Sequence, residues 1–415
     1  MEGEKVFVGI DWGDDRHAVT VYSPGSDRRR RFSVAHTAAG LKELVAQLKE
    51  AGTVEGVAVE GKPEVLVALL MEAGFKVYCV NPKLASSWRE AQSVGEAKTD
   101  GGDAEMLAEQ LAVQHRKLRP AQARAERSCV LARLCEDEEE FIKKRTALVQ
   151  ELKAVLKQYY PAVLKFFEDW TRPAAWSFVK AFPSPGALGR ARKETLGRFL
   201  SARRIGMSPL WQSRVEQRGH ALEWPRVPGE EAFVVRVRSL VGELQAVENS
   251  LRTYRMEIDR LCKQFPDLPL FESLPGAGEK LSPRLLAMFG DDRECYADAK
   301  AVQKLSGVAP VTEQSGRSKK VHIRRACRKH WRNTRHLLAH TSQMKCPWAR
   351  AFYQCCRQRG DKEAVALRKL SYKWLKIIFR MWQTKQPYDE QKYLHSLRKS
   401  RSPLIAYMAA QNAGG

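Results

Sequence analysis

The sequence predicts an α/β domain over residues 1–120 and a mainly helical remainder. Two observations predict this fold class. Short apolar runs of strand type alternate with helical runs up to residue 120, and two long runs with apolar residues every three or four positions follow over residues 121–265. At 415 residues the chain is long enough for two or three domains.

The first 120 residues contain strand and helix segments in alternation. The predicted strands, rich in β-branched and aromatic residues, are Val6–Ile10, Ala18–Tyr22, Arg31–Ala35, Val57–Val59 and Phe75–Val80. The predicted helices are Leu41–Ala51, Pro63–Ala73 and a segment over 105–112. Three leading strands followed by alternating helices and strands predict a mixed sheet with helices packed on its faces.

A lone carboxylate, Asp11, directly follows the first apolar strand. A buried carboxylate is costly unless it is paired or coordinates a metal. A second apolar run ends in Glu60, and Asp100 and Asp103 open a helical segment in which a spacing of three places both on one side. Taken singly, Glu60 also fits an exposed strand end, and Asp100 also fits a helix N-cap.

The four acids together indicate a metal site. Two carboxylates about 4 Å apart repel by roughly 4 kcal/mol near a protein surface, whereas Mg²⁺ prefers oxygen ligands. One or two Mg²⁺ ions held in this way stabilise the attacking and leaving oxygens of phosphoryl transfer. An acid on the first strand is the arrangement of the ribonuclease-H-like fold. Sugar-kinase-like folds begin similarly, but here no glycine-rich adenosine-binding segment follows.

The charge of the chain predicts a polyanionic partner. Lys and Arg number 71 against 48 Asp and Glu, a formal net charge of +23. DNA or RNA is the expected partner, and an anionic membrane surface is the weaker alternative. No apolar run is long enough for a transmembrane helix, and the first residues do not resemble a signal peptide. Nine cysteines without a Cys-x-x-Cys pair favour reduced thiols in a cytoplasmic protein.

Residues 121–265 contain two long predicted helices with a period near 3.5 residues. In the first, the repeat runs from Leu131 to Tyr159 and ends before Pro161; in the second, it runs from Phe233 to Phe265. The two helices are expected to form a coiled coil with each other or with another copy of the chain, or else to belong to a bundle core.

The insert between them, residues 161–230, is basic and aromatic. Its aromatic residues could stack on bases beside arginines that hold phosphates, or they could form the core of a small helical subdomain. The residues concerned are Trp170, Trp176, Phe178 and Phe182.

Residues 266–400 form a third predicted region, followed by a tail at 401–415. Pro275-Gly276-Ala-Gly278 precedes an apolar helix and resembles a helix-hairpin-helix turn, in which glycines let backbone N–H groups approach a phosphate. Further on, Ser315 lies beside Gly316 and is expected to be either an exposed nucleophile or part of a simple turn. The cations expected to contact nucleic acid are Lys98, Arg317, Lys319, Lys320, Arg324 and Arg325.

These motifs, in this order, resemble the DEDD-type insertion-sequence transposases, which are also called bridge-RNA-guided recombinases. The resemblance covers nearly the whole chain. The matching segments are Gly9-Ile-Asp11, Val59-Glu60, Val80-Asn-Pro82, Lys98-Thr-Asp-x-x-Asp-Ala104, Pro275-Gly-x-Gly278, Gly307-Val-Ala-Pro310 and Ser315-Gly316.

The resemblance implies a RuvC-like, ribonuclease-H-like domain in which Asp11, Glu60, Asp100 and Asp103 hold Mg²⁺. It also implies a C-terminal transposase domain whose serine, Ser315 here, attacks a DNA phosphodiester and forms a covalent phosphoserine. A structured noncoding guide RNA, the bridge RNA, would pair with donor and target double-stranded DNA. A homo-oligomer, dimer to tetramer, would share each active site between protomers. The expected location is the bacterial cytoplasm, on DNA.

Two other functions fit the same residues. The first is a junction-resolving nuclease that uses metal-activated water, with Ser315 only structural. The second is a nonenzymatic nucleic-acid-binding scaffold, in which the four acids serve as caps and turns.

Overall fold

The computed structural model describes residues 4–92, 100–122, 125–206, 208–315, 318–325 and 327–413. At residues 92, 100, 313, 319–321 and 411–413 it describes the backbone without the side chain. Internal contacts divide the chain into two compact units, residues 1–123 and 124–415. Each unit has hydrophobic clusters of its own.

The first unit is built on a mixed sheet. In chain order its described strands are β1 (Lys5–Trp12), β2 (Arg16–Ser23), β3 (Arg28–Ala35), β4 (Thr53–Glu60) and β5 (Val77–Val80). Their order in space is β3-β2-β1-β4-β5. The first three strands are antiparallel neighbours, whereas β4 runs parallel to both β1 and β5. The predicted mixed sheet is therefore confirmed.

Helices cover both faces of this sheet. They are α1 (Ala38–Glu50), α2 (Glu64–Glu72), α3 (Pro82–Gln92) and α4 (Asp100–Gln114). Side chains of α1 and α2 pack against Val8 and Ile10 of β1 on one face. Side chains of α3 and α4 pack against Phe7 of β1 and Ala58 of β4 on the other. Successive strand residues point to opposite faces, so β1 is buried by helices from both sides.

The second unit is mainly helical, as predicted. Its α-helices up to the middle of the unit are α5 (Glu126–Tyr159), α6 (Pro173–Ala181), α7 (Pro185–Gly189), α8 (Lys193–Ala202), α9 (Pro209–Glu216) and α10 (Glu230–Cys262). The α-helices and strands that follow are α11 (Leu268–Glu272), α12 (Gly278–Phe289), α13 (Ala299–Leu305), β6 (Val311–Ser315), β7 (Ser318–His322), α14 (Lys329–Lys345), α15 (Pro347–Gln358), α16 (Glu363–Thr384), α17 (Glu390–Lys399) and α18 (Pro403–Ala413).

The two long helices α5 and α10 pack against each other along their length. The Arg145 guanidinium of α5 donates to Glu248 of α10 at 2.9 Å. The ring centroids of Tyr159 and Phe233 lie 5.2 Å apart and the rings are stacked. Because later residues of α5 meet earlier residues of α10, the pair is antiparallel. Each helix is on the order of 50 Å long at about 1.5 Å per residue. The sequence left the partner of each helix open, and the structure shows that they pair within one chain.

The insert between α5 and α10 is a small helical subdomain with an aromatic core. Trp170, Trp176, Phe178 and Phe182 are 4%, 0%, 1% and 7% exposed. The ring of Phe178 contacts four other phenylalanine rings. Rings buried in this way cannot stack on bases, so the base-stacking alternative is wrong for these four residues.

A two-stranded antiparallel hairpin of β6 and β7 interrupts the helices of the second unit. The sequence indicated only a turn at Ser315-Gly316. Both strands are short and polar, with the sequences VTEQS and SKKVH. They lack the apolar alternation that marks a half-buried strand, so the pattern gave no reason to expect them.

Within the described ranges, no helix combines the length and apolar character needed to cross a membrane.

Candidate active site

Asp11 and Glu60 lie on neighbouring parallel strands at the same edge of the sheet. The register pairs Ile10 of β1 with Val59 of β4, so the two acids come next on each strand. Parallel neighbours are about 4.8 Å apart. The Trp12 indole N–H donates to the Glu60 carbonyl oxygen at 2.8 Å and links the two strand ends. Both acids are partly buried.

The face on which these acids lie follows from strand alternation. Asp11 shares its face with Phe7, and Glu60 shares its face with Ala58. Phe7 and Ala58 pack in the cluster formed with α3 and α4. The two carboxylates therefore project from the sheet on the side that carries α4, the helix of the other two predicted acids.

Gly9 brings α4 directly onto β1. A methyl group at Gly9 would lie 2.0 Å from the Ala104 carbonyl oxygen and 2.6 Å from the Ala108 nitrogen. Only glycine permits this approach. Asp103 precedes Ala104 on α4, and Asp11 is two residues beyond Gly9 on the same strand face. The Gly-Ile-Asp motif thus positions a carboxylate beside the helix that carries Asp103.

Asp103 and Glu60 are joined by one guanidinium from α3. Arg89 Nε donates to Asp103 Oδ1 at 2.6 Å, and a terminal nitrogen of Arg89 donates to Glu60 Oε2 at 3.4 Å. Asp103 is 7% exposed. Hydrogen bonding to Asp103, together with the charge of Glu60, raises the pKa of Arg89, so this side chain carries a fixed positive charge.

No motif in the sequence points to Arg89. The residue lies between Glu60 and Asp103 in the chain, and Trp88 beside it is buried in the core. A single arginine on a short helix forms no motif, because the sequence does not show which side of α3 faces the sheet. The predicted meeting of four acids is the signal that could have indicated a nearby cation, because carboxylates gathered in a folded chain require one.

The structure brings Glu60 and Asp103 together and places Asp11 on the adjacent strand. Asp100 is the first residue of α4, one turn before Asp103, and its side chain lies outside the description. Among the side chains that the structure describes, no three acidic, histidine or cysteine groups form a metal-holding cluster. The donor chemistry nevertheless fits a divalent cation, because the carboxylates of Glu60 and Asp103 already share one positive charge.

Ser315 is the last residue of β6 in the second unit. It is exposed and pairs across the hairpin with Ser318, the first residue of β7. Gly316 and Arg317, which join the strands, lie outside the described residues, as does Lys98. For Lys319 and Lys320 the structure describes only the backbone within β7.

Two arginines predicted to contact nucleic acid have structural partners at the base of the hairpin. Arg324 is half-buried, and its Nε donates to the Ala309 carbonyl oxygen at 3.3 Å. Arg325 is exposed, and its carbonyl oxygen accepts a hydrogen bond from Arg332 at 2.9 Å. These contacts tie the two ends of the hairpin to each other and to α14.

The two glycines of the turn before α12 differ in their surroundings. Gly276 has φ +85°, and a Cβ there would lie 2.8 Å from the Thr341 carbonyl carbon of α14. Close packing on α14 therefore explains why position 276 requires glycine. Gly278 has φ +53° with open space at its Cβ position, so its backbone remains accessible at the start of α12.

A buried charged network joins α5, α12 and α14 in the second unit. Glu138 and Glu139 of α5 are 7% and 6% exposed. Arg284 of α12 donates to Glu138 at 3.0 Å, and His330 and Asn333 of α14 bind Glu139. Burial alone would raise the pKa of Glu139, but the hydrogen bonds from His330 and Asn333 outweigh it and lower the pKa to about 2.

The chain is similar along almost its whole length to proteins of insertion elements. A family model for DEDD transposases of the IS110 type matches residues 8–161, and a model for the transposase IS116/IS110/IS902 family matches residues 268–354. A mini-circle protein named as a transposase for IS117 of Streptomyces coelicolor is 30% identical over 402 residues, which cover 93% of this chain and 96% of that protein.

Two further relatives are named as uncharacterized proteins of insertion elements. The 42 kDa protein of IS900 from Mycobacterium paratuberculosis is 26% identical over 91% of this chain and 96% of its own length. The 43.6 kDa protein of IS110 from Streptomyces coelicolor is 26% identical over 91% of this chain and 93% of its own length. Two family models in the expected order and relatives that match from end to end lead to one conclusion: the chain belongs to the IS116/IS110/IS902 family of transposases.

Proposed function

We propose that this transposase is an RNA-guided DNA recombinase of a bacterial insertion sequence, with a magnesium site in the first unit and Ser315 as its nucleophile. The strongest support for this proposal is that Glu60 and Asp103 lie close together in the folded chain. These acids come from a strand and a helix that are distant in sequence, and they share one guanidinium. Asp11 follows in register on the neighbouring strand.

The topology of the first unit supports a ribonuclease-H-like, RuvC-like description. Three antiparallel strands are followed by two parallel ones, and helices cover both faces. The first strand lies in the middle of the sheet and ends in a carboxylate. The meeting of acids from β1, β4 and α4 at one edge of the sheet supports a shared metal site there.

Asp11, Glu60, Asp100 and Asp103 would hold one or two Mg²⁺ ions. Oxygen donors are the ligands that Mg²⁺ prefers. When bound, the metal would polarise a DNA phosphate and stabilise charge on the oxygens around it. The protein's own contribution is to hold these carboxylates at fixed positions, with Asp103 shielded from water by the packing of α4 on Gly9.

The proposed chemistry at Ser315 is a transesterification. Ser315 Oγ attacks the phosphorus of a phosphodiester, its proton passes to a base, and the bond to the 3′ oxygen breaks as that oxygen takes up a proton. The new serine–phosphate ester retains the free energy of the original bond. A 3′ hydroxyl of another strand can therefore attack its phosphorus and lose its proton; the bond to Ser315 Oγ breaks, this oxygen takes up a proton, and the DNA is rejoined without ATP. The exposure of Ser315 at the end of β6 supports this role, because a nucleophile must be accessible to a phosphate.

The proposed partners are donor and target DNA and a structured guide RNA. A formal net charge of +23 supports binding of polyanions. The proposed contacts lie in the turn before α12, in and after the β6–β7 hairpin, and before α4; they are Lys98, Gly276, Gly278, Arg317, Lys319, Lys320, Arg324 and Arg325. We propose a homo-oligomer, dimer to tetramer, in which the carboxylates and the serine of one active site come from different protomers.

A covalent protein–DNA adduct tests the nucleophile. The full-length protein is incubated with Mg²⁺, labelled DNA spanning the element's ends and the RNA transcribed from its noncoding stretch, then run on a denaturing gel. We expect Ser315→Ala to abolish the adduct, because the ester has no oxygen to form on. Ser318→Ala is the matched control, since it removes the cross-strand partner in the same hairpin, and it should retain the adduct.

The other outcomes of this assay identify the alternatives. DNA cleavage that continues in Ser315→Ala without any adduct would indicate a nuclease that uses water. An adduct that persists in Ser315→Ala would reject this serine. The absence of any Mg²⁺-dependent cleavage by the wild-type protein would favour a binding scaffold.

A further inference from the structure

Arg89 is the cation that the structure places among the proposed metal ligands. Its Nε lies 2.6 Å from Asp103 Oδ1, and its terminal nitrogen lies 3.4 Å from Glu60 Oε2. The Arg89 side chain is 30% exposed, and the side chains of Glu60 and Asp103 are 26% and 9% exposed. The shorter contact is therefore the more deeply buried one, where a missing countercharge would be most costly.

The contact made by Arg89 competes with a metal for the same oxygens. A Mg²⁺ ion bonds to carboxylate oxygens at about 2.0–2.1 Å, using the lone pairs that face it. The lone pair of Asp103 Oδ1 that faces Arg89 already accepts a hydrogen bond from Arg89 Nε. A divalent cation and a guanidinium on the same two carboxylates would also repel each other. Both effects lower the affinity of these carboxylates for a metal as long as Arg89 contacts them.

We propose that Arg89 is the resident counter-cation of the metal site: it holds Glu60 and Asp103 together until a divalent ion displaces it. This inference rests on the proposed function, because it takes these carboxylates as metal ligands. It explains how acids that repel one another stay in place on the folded chain without metal. Arg89 is therefore a positioning residue, and it sets the metal concentration at which the site fills.

A second arginine of the same unit provides a matched control. Arg29 of β3 contacts two acids of α4, Glu105 at 2.7 Å and Glu109 at 2.6 Å, and its side chain is also 30% exposed. Arg29 and Arg89 therefore both hold acids of α4 at equal exposure. Of these two arginines, Arg89 is the one whose described contacts are with acids proposed to bind metal, so a comparison of the two separates competition from general stabilisation.

The test measures Mn²⁺ affinity and metal-free stability in the full-length protein. Bound Mn²⁺ is followed by the loss of the free-ion signal in electron paramagnetic resonance, and thermal unfolding is recorded in EDTA. For Arg89→Gln we expect Mn²⁺ to bind about tenfold more tightly, which corresponds to about 1.4 kcal/mol, together with a lower Tm in EDTA. For Arg29→Gln we expect a lower Tm with Mn²⁺ affinity unchanged. Arg89→Lys retains the charge but reaches one acid at a time. Its Mn²⁺ affinity should therefore lie between those of the wild type and Arg89→Gln.

Asp103→Asn distinguishes the possible failures. If Asp103→Asn weakens Mn²⁺ binding but Arg89→Gln and Arg89→Lys leave it unchanged or weaken it, the role of Arg89 is overturned and the metal site stands. If Asp103→Asn binds Mn²⁺ as the wild type does, the metal site of the proposed function is overturned, and the role of Arg89 falls with it. If Arg89→Gln does not fold, the role of Arg89 is tested with Arg89→Lys. An unchanged Mn²⁺ affinity of Arg89→Lys also overturns the proposal.

Discussion

At the scale of single residues, Gly9 determines how closely α4 approaches the sheet. The contact is between backbones, because a side chain at Gly9 would meet the Ala104 carbonyl oxygen and the Ala108 nitrogen. Backbone atoms of a helix cannot rotate away as a flexible side chain can. The position of Asp103 relative to β1 therefore depends on the absence of a single methyl group.

We expect Gly9→Ala to destabilise the first unit by about 1–3 kcal/mol or more, as overpacking does. The added methyl would push α4 from β1 and separate Asp103 from Glu60, so Mn²⁺ affinity should fall as well. Thermal unfolding and Mn²⁺ titration measure the two effects. Gly101→Ala on the same helix is the control for stability, because nothing lies within 4 Å of its added methyl, and helix propensity predicts a gain of up to about 1 kcal/mol. Equal Tm values for the two variants would contradict this account.

At the scale of elements, the buried acids of α5 hold three helices together. Glu138 and Glu139 lie at the end of the α5–α10 pair where Arg284 of α12 and His330 of α14 meet them. The heptad pattern revealed both long helices but not these partners. The charged seam position at Glu138 interrupted the apolar repeat. One of its cations, Arg255 at 3.3 Å, lies on α10 within the second repeat, but Arg284 at 3.0 Å lies on α12, outside both repeats.

The pKa of Glu139 predicts how this network responds to acid. Its pKa is about 2 in the folded protein against an ordinary value of 4.5, so the ionised carboxylate stabilises the fold above pH 4.5. This contribution is lost as the pH falls from about 4.5 to about 2. At pH 7 we expect Glu139→Gln to cost about 3 kcal/mol, because it removes a buried charged acceptor and leaves the donors of His330 and Asn333 poorly matched.

Urea unfolding from pH 7 down to pH 2 measures this effect. The difference in unfolding free energy between wild type and Glu139→Gln should shrink over the acid range. Glu140→Gln serves as control, because this neighbour is 64% exposed and its removal should change stability by less than about 1 kcal/mol. A difference that stays constant at every pH would reject the assigned role of Glu139.

At the scale of the whole molecule, the fold was largely predictable from periodicity. The strands of the first unit and the helices α5 and α10 carry regular apolar patterns, and the structure has them near the predicted positions. The β6–β7 hairpin was missed, because its polar strands carry no such pattern. Arg89 was missed for another reason: its importance depends on which face of α3 packs on the sheet, and only three-dimensional packing determines that.

The acids at the edge of the first unit's sheet are proposed to hold the metal on which DNA cleavage depends. The most direct measurement is DNA strand cleavage by wild type and Asp11→Asn in Mg²⁺ and in EDTA, with thermal unfolding as the check on folding. We expect cleavage by the wild type only in Mg²⁺, and a loss of roughly a thousandfold in Asp11→Asn with an unchanged fold, since a metal contributes several kcal/mol to such a step. Cleavage by Asp11→Asn at the wild-type rate, or by the wild type in EDTA, would show that cleavage does not depend on a metal held by these acids.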